Sequence, residues 1–449
     1  MRNLPVRRLE SDTRDMTTNL EIMKTKAEKS LAQHFASVAA DLPPEAVVLA
    51  DRQAAMARFD ALGLPHRRIE AWKYTDLRNA LGTVDAPANG QAPDVSTAEL
   101  DTALGQLAGL DAYRAVFVNG RQAEGLSRLP DVAGVEIVPV SGAPALDEPI
   151  EGESIVALNT AFVTGGLAIR IADGVALDKP LMIVSARAGG SDMLVTTRHD
   201  VSVGARASLT LIETAVSIGA TAGQANGLIS VAVGDGGRLD QIKVGSQSAI
   251  SDLATWRVHI GGEATYNAFQ MIPGAPLARN QIFVTFDGEA SALDFASVAL
   301  GNGSDHIDST IVVDHRAPGC TSRELFKGVL DDRARGVCQG KVIVQQIAQK
   351  TDGKQMAQAL MLSEDCEFDS KPELEIYADD VACGHGSTSA EIDPDLVFYC
   401  RSRGIPEDQA KVLLTESFVA EAIDKVAWDD LREALGEIAR AWLTTNHAK

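Results

Sequence analysis

Val201-Ser-Val-Gly204, Val231-Ala-Val-Gly234, Val258-His-Ile-Gly-Gly262 and Val284-Thr-Phe-Asp-Gly288 share one pattern: alternating apolar residues that run into a glycine. Gly204, Gly234, Gly261 and Gly288 stand 30, 27 and 27 residues apart. Alternation of period two is the mark of a strand, and a recurring unit of this length is the mark of stacked coils that share one core. A β-helix fits this spacing best. A sandwich or barrel would place strands about 8–12 residues apart in a domain half as long. A doubly wound α/β sheet would need helical stretches that the middle of the chain lacks.

Outward from these repeats, the strand texture begins at Tyr113 and continues to the run Leu396-Val-Phe-Tyr399. Before it, apolar residues such as Leu31, Phe35 and Val38 recur at helical spacing between about Leu20 and Leu77, with Pro43 and Pro44 as an interruption. A second helix is expected from Pro44 to Leu62, with Gly63 as its left-handed stop. Gly82 to Ser96 reads as a linker rich in Ala, Pro and Gly, and Thr97 to Leu107 as another helix. Beyond Gly404, Pro406 opens a helix with Glu407 and Asp408 in its positive first turn. Asp429 is placed to cap a second one, in which Leu431, Leu435, Ile438 and Trp442 form an apolar face. The division expected is a helical region and linker over 1–110, a β-helix core over 111–403 and a helical region over 404–449. Helices at both ends are expected to cap the terminal coils, whose edges would otherwise be open, and to dock partners.

The chain has 449 residues, 45% of them hydrophobic, enough for a large core. Its 62 acidic and 41 basic residues give a net charge of -21, which opposes nonspecific attraction to nucleic acid or anionic lipid and suits a basic partner surface. No run of about 20 apolar residues is present to span a bilayer. Met1 to Asp15 reads as a loose arm, with Met16 an alternative start, and not as a secretory signal. The five cysteines, Cys320, Cys338, Cys366, Cys383 and Cys400, form no CxxC pair. Together these features point to a reducing compartment, the cytoplasm, and away from structural zinc.

Nucleotide and hydrolase motifs are missing. There is no GxxxxGK[ST] loop, Gly234-Asp-Gly-Gly237 reads as a turn, and Gly384-His-Gly-Ser387 is not a nucleophile elbow. Glu364-Asp-Cys-Glu367 reads as a solvated acidic turn. Chemistry concentrates at Cys383-Gly-His385. Two residues apart on a strand, the thiol and imidazole would share a face, and both are suitable ligands for iron or zinc. A functional pair and a buried cysteine beside a satisfied histidine are both open on this evidence. His306 and His315 are expected to be hydrogen-bonded or surface residues, and the other four cysteines to be apolar fillers.

The ordered set Arg323-Glu-Leu-Phe-Lys-Gly328, Gly340-Lys-Val-Ile-Val344, Gln349-Lys-Thr-Asp352, Ser370-Lys-Pro-Glu-Leu-Glu-Ile-Tyr-Ala-Asp-Asp-Val381, Cys383-Gly-His-Gly-Ser-Thr388 and Leu396-Val-Phe-Tyr-Cys-Arg-Ser-Arg-Gly404 resembles the SufB/SufD family of iron–sulfur cluster assembly proteins. Arg68-Ile-Glu-Ala-Trp-Lys-Tyr-Thr-Asp-Leu77 and the pair His385-Gly386 resemble its SufD branch. Gly384 and Ser387 depart from that pattern, where Ser and Ala are commoner. The resemblance implies a right-handed parallel β-helix flanked by helical regions. It also implies a noncatalytic subunit that pairs with SufB and carries SufC ATPase, two copies per complex, one of them docked on the C-terminal helices. His385 would lie at the heterodimer interface beside a transient iron–sulfur cluster, with Cys383 a second residue of that site; no cofactor is expected to be held tightly by this chain alone. The competing readings are a SufB-like principal scaffold, a β-helical carbohydrate-active enzyme, and a purely structural solenoid. Aromatic content of 5% and the lack of an evident acid–base pair weigh against the enzyme.

Overall fold

A computed structural model describes residues 24–88, 93–144, 153–190, 192–219, 222–245 and 250–447. The expected arm over Met1 to Asp15, the alternative start at Met16 and part of the linker lie outside the described residues. The repeats form a parallel β-solenoid. Strands Met193–Val203, Gly223–Val233, Ile250–Ile260, Leu277–Phe286, His306–His315, Arg335–Val344 and Glu367–Ile376 stack in one nine-stranded sheet. The intervening strands, from Leu181–Ala188 to Thr321–Leu330, Asp352–Met361 and Gly384–Ala390, stack in a ten-stranded sheet opposite. Ile, Val and Leu, together with Trp256, Tyr266, Phe286 and Phe295, fill the space between the sheets.

The quoted glycines mark one corner of the coil. The Gly234 amide donates to Val203 O (2.8 Å) and that of Gly261 to Val233 O (2.8 Å), so each coil hangs from the one before. A Cβ on Gly288 would lie 2.1 Å from the Gly262 amide nitrogen, which leaves no room for a side chain. Asp173 and Asp235 add rungs at the same corner by accepting from the Ala205 and Gly262 amides.

Eight α-helices flank the sheets among the described residues: α1 (Lys26–Val38), α2 (Leu49–Leu62), α3 (Leu77–Ala80), α4 (Thr97–Leu104), α5 (Glu153–Phe162), α6 (Pro394–Ser402), α7 (Glu407–Ile423) and α8 (Asp429–His447). The α1 terminus is a capping box of Thr25 and Glu28, and Gly63 ends α2 at φ 70°. The start of α2 differs from the expected Pro44. Buried Arg52 donates to Pro43 O and Val47 O, which holds residues 43–47 in a turn. Helix α5 interrupts the region that reads as strand. Every residue from Ser154 to Phe162 is buried, and a helix buried on all sides, with Ser154, Asn159 and Thr160 inside as well as its apolar residues, carries no clear periodicity that separates it from a buried strand. The run Leu396–Tyr399 is helical as well, because Asp393 caps α6 and Pro394 occupies its first turn.

The capping expectation is corrected. Helices α1, α2 and α5 pack laterally on the nine-stranded sheet, against Leu194, Leu253 and Leu277. Helices α7 and α8 lie on the outer face of the ten-stranded sheet, against Phe269, Val298, Leu300 and Val329. Each outer face carries a stripe of apolar residues, and the helices bury it from water. The last coil is left open: Glu367–Ile376 and Gly384–Ala390 are the terminal strands of the two sheets, and none of their residues is buried.

Candidate functional site

Four of the quoted motifs assemble the corner from which Cys383 and His385 project. Lys350, at φ 65°, donates its amide to Asp380 O, and the two side chains form an ion pair. Gln349 Oε1 accepts from the Asp380 amide (3.0 Å), and Thr351 O accepts from the Ala382 amide (2.8 Å). Arg323 donates to both the backbone carbonyl (2.7 Å) and the carboxylate (2.6 Å) of Asp352. These bonds set the register in which Gln355 lies opposite His385, and Met356 opposite Gly386, on the final strand pair.

Along Asp352–Met361, Gly353, Gln355 and Ala357 are buried while Lys354 and Met356 are exposed. In-register partners on parallel strands share a face, so His385 stands on the interior side of the sheet with Gln355. It is nevertheless exposed, because no further coil covers it. Cys383 precedes the strand, is partly buried, and packs against the interior core. A Cβ on Gly353 would lie 3.5 Å from its Sγ. The two residues therefore face the same side, but only His385 is open to solvent.

The electrostatics of Cys383 oppose a thiolate. Burial pushes its thiol pKa up, and the Asp352 carboxylate adds to that, as does Glu324 once it ionises at higher pH, against a backbone hydrogen bond at Gly353. Cys320 and Cys338 are buried with raised thiol pKa values, and Cys366 is buried, as expected of fillers. Cys400 is only partly buried, on α6. Among the described residues no group of three or more His, Cys, Asp and Glu side chains is arranged to hold a metal ion. His315 is buried, bonded to Ser322 Oγ (3.2 Å) and stacked on Phe286. Desolvation holds it neutral, with a pKa of about 4.

His306 belongs to a second constellation, one that could not be read from the sequence. Residues Arg68 to Leu77 cross the outer face of the nine-stranded sheet. The Arg279 guanidinium lies 3.9 Å from the Trp72 ring centroid, donates to Ala71 O (2.6 Å) and pairs with Asp308. Thr75 bonds both Asp308 and His306. Gln339 donates to Ala71 O (3.4 Å), and Lys371 pairs with Glu70 (2.6 Å). The signature thus clasps four successive strands. On the opposite side, buried Lys327 donates to Gln358 (2.6 Å) and to Glu421 of α7 (2.5 Å), 4.3 Å from the Phe418 ring centroid. In the sequence both stretches stood out by their family likeness, but these contacts were not legible, since their partners lie on distant strands and on a helix.

Residues 185–418 match the family model described as SUF system FeS cluster assembly, SufBD core domain, and residues 25–136 match that of the SufBD protein N-terminal region. The chain is 30% identical to the iron–sulfur cluster assembly protein SufD of Escherichia coli over 83% of its own length and 87% of that protein. It is 28% identical to an iron–sulfur cluster assembly SufBD family protein of Synechocystis over 92% of its length and 95% of that protein. Identity to SufD of Bacillus subtilis is 25%, over 64% of this chain and 66% of that one.

Proposed function

Since the chain belongs to the SufBD family of the SUF iron–sulfur cluster assembly system, we propose that it is the SufD-type, noncatalytic subunit of a cluster-building scaffold. The observation that carries this reading is the open final coil. Two terminal strands with unpaired edges, His385 among their residues, and exposed Met356, Ile376 and Tyr377 nearby form a surface suited to a second solenoid. A SufB-like subunit is the partner proposed there, in the cytoplasm. The cluster is cargo assembled at that interface, with His385 contributing one ligand from this side. Cys383 is a weaker candidate, since its neutral thiol would first have to lose a proton.

Helices α7 and α8 would carry one copy of a SufC-type ATPase, with a second on the partner. Tethered to the solenoid through Lys327, they can pass a movement of the ATPase to the final coils. Exposed Leu413 and the acidic residues Asp424 and Glu433, in a cleft between the two helices where Arg440 is paired with Glu416 and Arg432 with Asp429, suit a partner surface that is apolar with some basic residues. The raised thiol pKa values of Cys320, Cys338 and Cys383 favour this role over that of principal scaffold, which would need a reactive cysteine.

Native mass spectrometry after anaerobic coexpression with SufB-like and SufC-like chains from the same genome tests the proposal. One copy of this chain, one SufB-like chain and two ATPase chains are expected. A chain that stays alone while its candidate partners are folded would overturn it.

A further inference from the structure

One interior column of the solenoid changes character as it nears the open end. Ala268, Phe295, Glu324, Gln355 and His385 lie opposite one another on five successive strands of the ten-stranded sheet. Rungs of such a column are about 4.8 Å apart, close enough for neighbouring side chains to meet. The first two rungs belong to the apolar core. The last three are polar.

Glu324 is 2% exposed and Gln355 5% exposed. Glu324 lies within reach of Ser322 and Gln355, but neither of its carboxyl oxygens, nor Oε1 and Nε2 of Gln355, has a partner in well-formed hydrogen-bond geometry. Each such group costs about 1–3 kcal/mol when left unsatisfied in a protein interior, so a pair on adjacent rungs directly behind an exposed histidine calls for a role. The strand opposite leaves room for the amide. A Cβ on Gly340 would lie 3.0 Å from Gln355 Oε1, so any other residue there would crowd the side chain. On the outward side, a Cβ on Gly386 would lie 2.9 Å from Met356 Cε, which leaves the interior side to His385.

An imidazole offers a lone pair to a metal through one nitrogen only when the other nitrogen bears the proton, and that N–H needs an acceptor to hold the ring. We propose that Gln355 and Glu324 are positioning residues for His385: the Gln355 carbonyl oxygen accepts the inner imidazole N–H, and the Gln355 amide N–H donates to Glu324, fixing the tautomer and the ring so that the outer nitrogen faces the cargo. The inference rests on the reading of His385 as a cluster-site residue. Burial supports the arrangement by raising the Glu324 carboxyl to about 8, an effect that nearby Ser322, Arg323 and Gln355 offset only in part. A neutral acid completes the column without placing a charge in the core.

The test is the tautomer of His385 in the full-length chain labelled with 15N-histidine, read from long-range proton–nitrogen correlations and assigned with His385→Ala. The wild-type chain is expected to show a single tautomer. Gln355→Met, similar in size but without an acceptor, is expected to show a mixture, and Glu324→Gln, which can still accept, to keep the single form. A mixture in the wild-type chain overturns the inference without need of any variant. So does an unchanged single tautomer in a folded Gln355→Met chain. In the complex with its partners, Gln355→Met should lose at least tenfold in cluster yield while subunit composition is unchanged. If the wild-type complex fails to form, the proposed function falls while the tautomer result still decides the role of Gln355.

Discussion

Glu324 shows how one residue can carry a pH dependence. Its carboxyl is raised from 4.5 to about 8 by burial, so between those values the folded chain retains a proton that the unfolded chain has released. The stability it contributes is complete below about 4.5, declines as pH rises, and is fully lost beyond about 8. The unfolding free energy of the wild-type chain, read from urea titrations, should fall across this window relative to that of Glu324→Gln by about a few kcal/mol in total. Parallel pH profiles of the two chains would remove Glu324 as the cause. The reading of the Arg323–Gly328 motif from sequence covered its likeness to a family but not this behaviour, since a charged residue type by itself argues for an exposed position. Only alternation along the strand places Ser322, Glu324 and Phe326 inward and Arg323 outward.

At the scale of elements, the stacking corner determines which glycines matter. Gly288 has the Gly262 amide nitrogen where its Cβ would be, whereas Gly227 has no atom within 4 Å of that position. Gly288→Ala must push two coils apart and is expected to cost about 2–4 kcal/mol, in the range of core overpacking and lost backbone bonds. Gly227→Ala should stay within about 1 kcal/mol of wild type. Thermal melts of both variants check this, and equal losses would show that the corner tolerates expansion. The repeat was legible for a physical reason: a contact made once per coil imposes the same small residue once per coil. Helix α5 was not legible, because burial on every side erases its period. The boundaries of α2 and α6 depended on Arg52 and Asp393, whose partners become clear only in the folded chain.

For the molecule as a whole, the two lateral helical layers and the open final coil predict a gradient of stability. Backbone amides of Leu277–Phe286, covered by sheet neighbours and by the Trp72 clasp, should be the slowest to exchange with deuterium. Those of Glu367–Ile376 and Gly384–Ala390 should exchange faster by orders of magnitude, because a terminal strand can detach without disturbing the core. Addition of a SufB-like partner should slow exchange in these two strands first. Protection that appears instead at Tyr113–Val118, at the other end, would move the proposed interface away from His385.

Without any structure, the sequence determined that the chain is a solenoid with helical ends and that His385 and Cys383 share one face. Both follow from periodicity, which is a local property of strands. Tertiary structure decided the rest: that the helices cover the sides and leave one end open, that Cys383 is drawn into the core while His385 is not, and that Glu324 and Gln355 stand behind the histidine. Those outcomes depend on contacts between residues about 30 to more than 200 positions apart, as Gln355 and His385 or Ala71 and Arg279 illustrate, and burial is fixed only when such partners meet.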